Sequence, residues 1–166
     1  MKKALYLVII VVFAAILSSC NSGDATAYRD LIFGMSLEEV KDKGFIASDE
    51  KTISEEGMDT YQCKYSDYAG VHYDKAELSF RGDKLAKVLF VKSTKSADEQ
   101  QATSKKVNDF LTSKYGQAKE TGKYYGWKDS KHVFLQYVHV EIGEDFTSTY
   151  VNELAICSTD YYKEIK

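Results

Sequence analysis

The sequence predicts an α+β fold: an antiparallel sheet with helices packed on one face. Three observations carry that reading. Two Ser-x-x-Glu helix-start signals stand 60 residues apart, at Ser36 and Ser96. Each is followed by runs in which apolar and polar residues alternate, the period of a strand with one wet face. Turn-forming residues bound those runs, so consecutive strands are expected to pair with one another.

The first helix is expected to start after Ser36, with Glu39 as the reciprocal cap, Leu37 and Val40 facing inward, and Gly44 ending it. Strands are expected at about 60–66, 70–80 and 84–92. In the middle run Ala76, Leu78 and Phe80 alternate with Lys75, Glu77 and Ser79, and Gly82-Asp83 supplies a two-residue hairpin turn. The second helix is expected from Ser96, with Glu99 as its partner, to Tyr115 before Gly116, with Val107, Phe110 and Leu111 as its core stripe. Strands at about 122–128, 131–142 and 148–158 complete the chain. The reading is therefore two helix-plus-three-strand units, about 33–93 and 96–158, within a single α+β domain over 28–166.

The N-terminus has a different character. Lys2 and Lys3 precede an apolar run of 14 residues from Ala4 to Leu17, then Ser18, Ser19 and Cys20. That is the order of a signal peptide, over residues 1–19, and the run is shorter than the roughly 20 residues a spanning helix needs. Residues 20–27 are small and polar after the cysteine and read as a short tether. Leu17-Ser18-Ser19-Cys20 resembles the lipobox of bacterial lipoproteins. The resemblance implies cleavage before Cys20 and a membrane anchor of lipid on that thiol. It also implies a place in the cell envelope, and the outer membrane if the host has two, since Asn21 follows the cysteine in place of an inner-membrane-retaining aspartate.

The chain carries a net charge of −3, and loss of Lys2 and Lys3 with the signal segment makes the remainder more acidic. Its lysines are interleaved with acids, so no basic stripe for nucleic acid is present. Cys63 alternates with Tyr61 and Tyr65 on an expected buried strand face, whereas Cys157 is out of phase with Leu154 and Ile156, and two buried thiols are expected rather than a disulfide.

Sites for chemistry are few. His72, His132 and His139 form no metal-spaced cluster, and no phosphate-loop or nucleophile-elbow pattern occurs. His72 with Asp74 could orient an imidazole, although an ordinary surface pair is the expectation. Arg81-Gly82-Asp83 spells an adhesion tripeptide, for which turn formation is the simpler account. No cofactor and no catalytic residue is expected. The aromatic groups Tyr124, Tyr125 and Trp127, and Tyr68 with Tyr73, are candidate partner-binding residues because Tyr and Trp suit interfaces. Packing within the sheet is the alternative for the same residues.

Phe33-Gly34-Met35-Ser36-Leu37-Glu38-Glu39-Val40 is similar to the lead-in motif of SmpA/OmlA-type outer-membrane assembly lipoproteins and of β-lactamase-inhibitor-like repeat proteins. That resemblance implies a non-enzymatic envelope protein that binds other proteins. Two alternatives stand beside it: an envelope enzyme or small-ligand carrier, and a structural lipoprotein without a specific ligand.

Overall fold

The computed structural model describes residues 27–54 and 56–164. The expected signal segment 1–19, Cys20 and all of the expected tether but Ala27 lie outside the described residues. In chain order the elements are α1 (Leu37–Asp42), β1 (Ile46–Ile53), β2 (Asp59–Cys63), β3 (Asp67–Tyr68), β4 (Val71–His72), β5 (Lys75–Arg81) and β6 (Lys84–Thr94). Then follow α2 (Ala97–Tyr115), β7 (Lys119–Glu120), β8 (Tyr125–Lys128), β9 (His132–Ile142), β10 (Ser148–Ser158) and α3 (Thr159–Glu164). No helix among them is long and apolar enough to cross a membrane.

Eight strands form one antiparallel sheet in the order β1-β2-β5-β6-β10-β9-β8-β7, so the fold is α+β and dominated by its sheet. Each half of that sheet contains four strands, where three were expected. The extra strand of the first half is β1, whose sequence IASDEKTI exposes nearly every residue. An edge strand needs only backbone pairing, so it carries no apolar alternation to betray it. In the second half the extra strand is β7, two residues long.

The run expected at 70–80 is broken in two. Val71–His72 turns back to pair with Asp67–Tyr68 as a separate hairpin, and the main sheet resumes at Lys75. This small hairpin packs Tyr68 against Phe90, with ring centroids 5.4 Å apart, and Lys106 of α2 donates to the Gly70 carbonyl at 3.1 Å.

Both helix starts behave as their serines predict, with one difference. At α1 the box is complete: Ser36 Oγ accepts from the Glu39 N–H and Glu39 Oε2 accepts from the Ser36 N–H at 2.7 Å. At α2 Ser96 accepts from the Glu99 N–H, but the Glu99 carboxylate turns instead to Thr94 Oγ1 and Lys92. The Arg81-Gly82-Asp83 segment is engaged internally. Gly82, at φ 59°, takes the first position of a II′-type turn, Asp83 Oδ1 accepts from the Leu37 N–H, and Arg81 ion-pairs with Glu164.

The sheet separates two apolar clusters. Val40 of α1 and Val107 and Leu111 of α2 share the larger one with Leu78, Phe80, Phe90, Phe134 and Ile156. Polar contacts help fix α2 over it: Gln136 Nε2 donates to the Ser104 carbonyl, Asn152 Nδ2 to the Gln100 carbonyl and Trp127 Nε1 to Thr112 Oγ1. Ala86, Val133, Leu135, Ala155 and Cys157 face the other way, and Tyr161 of α3 covers them. The two cysteines among the described residues are free and buried, Cys63 in the first cluster and Cys157 in the second, as the phase of each in its strand predicts.

Candidate functional site

The β9–β10 hairpin outruns the rest of the sheet. Both strands are 11 residues long, yet β8 pairs with β9 only as far as Gln136. Beyond that point β9 has β10 on one side and no described strand on the other. Strand alternation places Val138, Val140 and Ile142 on one face and His139 and Glu141 on the opposite one. All three apolar residues are exposed, Ile142 at 70%, and Phe146 at the tip reaches 88%.

The tip is ordered by its own bonds. The Gly143 N–H donates to the Thr147 carbonyl, and the Phe146 N–H to that of Gly143, both at 2.9 Å. Asp145 Oδ1 accepts from the Thr147 hydroxyl and N–H, bonds that hold its carboxyl below the usual range. At the base, Gln100 Nε2 of α2 donates to the carbonyls of His139 and Val151. The finger is thus braced at both ends, with an apolar stripe and a free backbone edge between them.

On the face of the sheet away from α1 and α2 is a hollow of about 500 Å³ whose wall includes Lys87, Glu56, Glu153, Tyr137 and Cys157. Burial pushes the Cys157 thiol up to about 12 and raises Tyr137, so both are neutral at ordinary pH. A third region, a cavity of about 650 Å³ at the end of the sheet, is walled in part by His132.

The aromatic candidates are split by strand parity. Tyr124 faces the hollow side, its hydroxyl 3.1 Å from that of Tyr162 and its ring beside Tyr137. Tyr125 and Trp127 turn to the helix side, where Trp127 is buried. Tyr73 is also buried there, and burial raises its phenol far above the ordinary value. Tyr68 is half-buried against Phe90. The structure therefore gathers no single aromatic face from these five residues.

His72 does not pair with Asp74: its Nδ1 lies 2.9 Å from Asp67 Oδ1 on the exposed small hairpin, while Asp74 accepts from the Ser93 N–H. Cross-strand register, not the i, i+2 spacing, chooses its partner. Two features went unrecognised in the sequence. The alternation Val138, Val140, Ile142 was visible, but not that β8 stops short of it. Asp129 stands three residues before His132 in a turn, a spacing that brings a carboxylate to the ring only because the Lys131 and His132 N–H groups also bind it.

A protein-family profile described as "Uncharacterised protein" matches residues 28–157. The chain belongs to that family. The match takes in the sheet up to the last residue but one of β10 and the whole of the exposed finger, and stops ahead of α3. No curated protein and no solved structure matches the chain.

Proposed function

We propose that this chain is a bacterial envelope lipoprotein, anchored through lipid on Cys20, that acts as a non-enzymatic protein-binding or assembly module with the β9–β10 finger as its docking surface. The carrying observation is the exposure of Val138, Val140, Ile142 and Phe146 beside a strand edge that no described strand covers. The occupant we assign is an extended segment of a membrane-associated protein, adding as a strand to the edge of β9. Strand addition draws affinity from backbone hydrogen bonds and specificity from alternate side chains, and this edge offers both.

The contrast with β1 supports the assignment. That edge is protected by Asp49, Glu50 and Lys51, the charges by which sheets discourage pairing. The corresponding stretch of β9 offers valine and isoleucine. Lipid anchoring through Cys20 and a tether over residues 20–27 keep the partner near the bilayer, at the outer membrane where the host has two. We also read the two halves of the sheet as copies of one helix-led unit, related through the β6–β10 pairing.

Photo-crosslinking groups placed at Ile142 and at Phe146, with a control at Lys51, test the docking surface in cells. One dominant adduct from the finger and none from the control is expected. A diffuse set of adducts at all three positions would remove the proposal. Palmitate labelling of Cys20→Ala tests the anchor separately: labelling should disappear, and persistence would refute lipidation at this thiol.

A further inference from the structure

The hairpin tip fixes which backbone groups of β9 are free. The Gly143 N–H donates to the Thr147 carbonyl across the β9–β10 pair, so Gly143 and, at every second residue before it, Glu141 and His139 turn their backbone groups toward β10. Gln100 reports the same phase, since it bridges the carbonyls of His139 and of Val151, its register partner in β10. Val138, Val140 and Ile142 therefore present their N–H and C=O groups at the outer edge, where no described strand receives them. An edge of this kind is a template for another strand.

The segment from Val138 to Ile142 reads Val-His-Val-Glu-Ile, which complements itself when reversed. Paired antiparallel with a second copy about a two-fold axis at Val140, it sets Val140 opposite Val140 and Val138 opposite Ile142. These are the residues whose backbone groups face the edge, so each edge donor meets an edge acceptor, and the two exposed apolar stripes join on one face. On the other face His139 meets Glu141 of the second copy, at the non-hydrogen-bonded positions where opposed side chains come closest. The pair is complementary: the imidazole donates an N–H to the carboxylate and opposes it in charge when protonated. Within one chain Glu141 Oε1 already lies 3.5 Å from His139 Nε2, so the second copy adds a further imidazole to each carboxylate. Moving the axis by one residue would instead oppose His139 with His139 or Glu141 with Glu141, and like charges directly opposite are destabilising.

We propose that the occupant of the β9 edge is a second copy of this chain, paired antiparallel through residues 138–142 about a two-fold axis at Val140. The inference rests on the reading of β9 as a docking edge and names what docks there. The free span fits it. β8 pairs with β9 only as far as Gln136, and opposite Tyr137 the second copy has reached Gly143, where its own hairpin turns back. The interface is short beside the roughly 1,200–2,000 Å² of a stable complex. The proposed lipid anchor, by holding both copies at one surface, raises their effective concentration and offsets the small area.

Single cysteines in the full-length protein, oxidised in isolated membranes, test this register. Disulfide-linked dimer is scored above that of the wild type, whose Cys63 and Cys157 are buried. Val140→Cys should cross-link to itself, because opposed hydrogen-bonded residues have Cα atoms about 5.5 Å apart, within disulfide reach. Val138→Cys and Ile142→Cys should each fail alone and cross-link when the two proteins are co-expressed. His139→Glu sets like charges opposite one another and should lower the Val140→Cys yield about fivefold or more, and adding Glu141→Lys should restore it. Absence of dimer from Val140→Cys, dimer from Val138→Cys alone as abundant as from the mixture, or no recovery on adding Glu141→Lys would overturn the two-fold pairing. Photo-crosslinking from Ile142 to a different protein, with no adduct of twice the chain mass, would overturn it too while leaving β9 as a docking edge.

Discussion

Lys87 Nζ lies 2.8 Å from Glu56 Oε1, and the lysine is the buried partner, its side chain 10% exposed against 39% for the glutamate. Burial raises the Glu56 carboxyl, but the hydrogen bond from Lys87, with bonds from the Glu56 backbone and Ser54, outweighs it and leaves the carboxyl below its ordinary value. Glu56→Gln strands an ammonium beside Cys157 and should destabilise the fold, by about 1 kcal/mol once solvent screening at the open side is allowed for. Lys87→Met removes the charge that needs a partner and should be closer to neutral. Because the folded carboxyl titrates lower than the unfolded one, the wild-type advantage over Glu56→Gln is full above about pH 4.3 and is lost as pH falls through the folded value. Urea melts of the three proteins at pH 7 and in acid measure both effects. An advantage that grows in acid would contradict this account of the pair.

The small β3–β4 hairpin contains a conformational liability. Ala69 and Gly70 form its two-residue turn at φ 53° and 72°, the I′ geometry that glycine and asparagine adopt readily and alanine does not. A Cβ in the left-handed region costs roughly 1–2 kcal/mol. Ala69→Asn should therefore stabilise the chain by about 0.5–1 kcal/mol. Thermal unfolding gives the answer directly, and a lowered midpoint would show that the turn relaxes out of this geometry.

The two free thiols sit on opposite sides of the sheet, so they cannot meet without unfolding. Burial raises both, Cys157 to about 12, and the thiolate is the reactive form. Labelling of the folded domain by a thiol reagent should be slow at both positions and complete only in denaturant, with no dependence on prior reduction. Rapid modification of Cys157 in the native state would mean that α3 does not stay closed over it.

How much of this was legible in the sequence can be followed element by element. Ser36 announced α1 because its cap is made within four residues, and local bonds are what a local motif predicts. Ser96 announced α2 equally well, while the use of Glu99 depended on Thr94 and Lys92 across the preceding strand. β10 fell at its expected residues, 148–158, because it is central and its apolar residues 154–157 are buried on both faces. β1 was hidden by exposure, and the splitting of residues 70–80 by the pairing of Val71 with Tyr68. The aromatic residues were read as groups although parity divides Tyr124 from Tyr125 and Trp127. The finger and the His132 cavity were not legible, because each depends on where a neighbouring element stops.

Gln100 ties that finger to the body of the protein. It is buried, its Nε2 reaches the His139 carbonyl at 2.7 Å and the Val151 carbonyl at 3.0 Å, and its own carbonyl receives Asn152 Nδ2. One helical side chain thereby fixes both strands at the point where β9 leaves its neighbour. Gln100→Leu keeps the helix and the volume but sets an apolar group against two carbonyls, at a cost of about 1–2 kcal/mol. The consequence should be local as well as global. Amide exchange should quicken over residues 137–149 and remain slow in β5 and β6, because beyond the pairing of Tyr150 with Thr94 the outer hairpin keeps only its own ladder and the Lys95–Thr149 bond once the glutamine is gone. If exchange quickened evenly across the sheet, the finger would be held by the sheet as a whole and not by this contact. If the finger docks a partner as an ordered edge, the same variant should weaken crosslinking from Ile142 while leaving palmitate labelling of Cys20 unchanged.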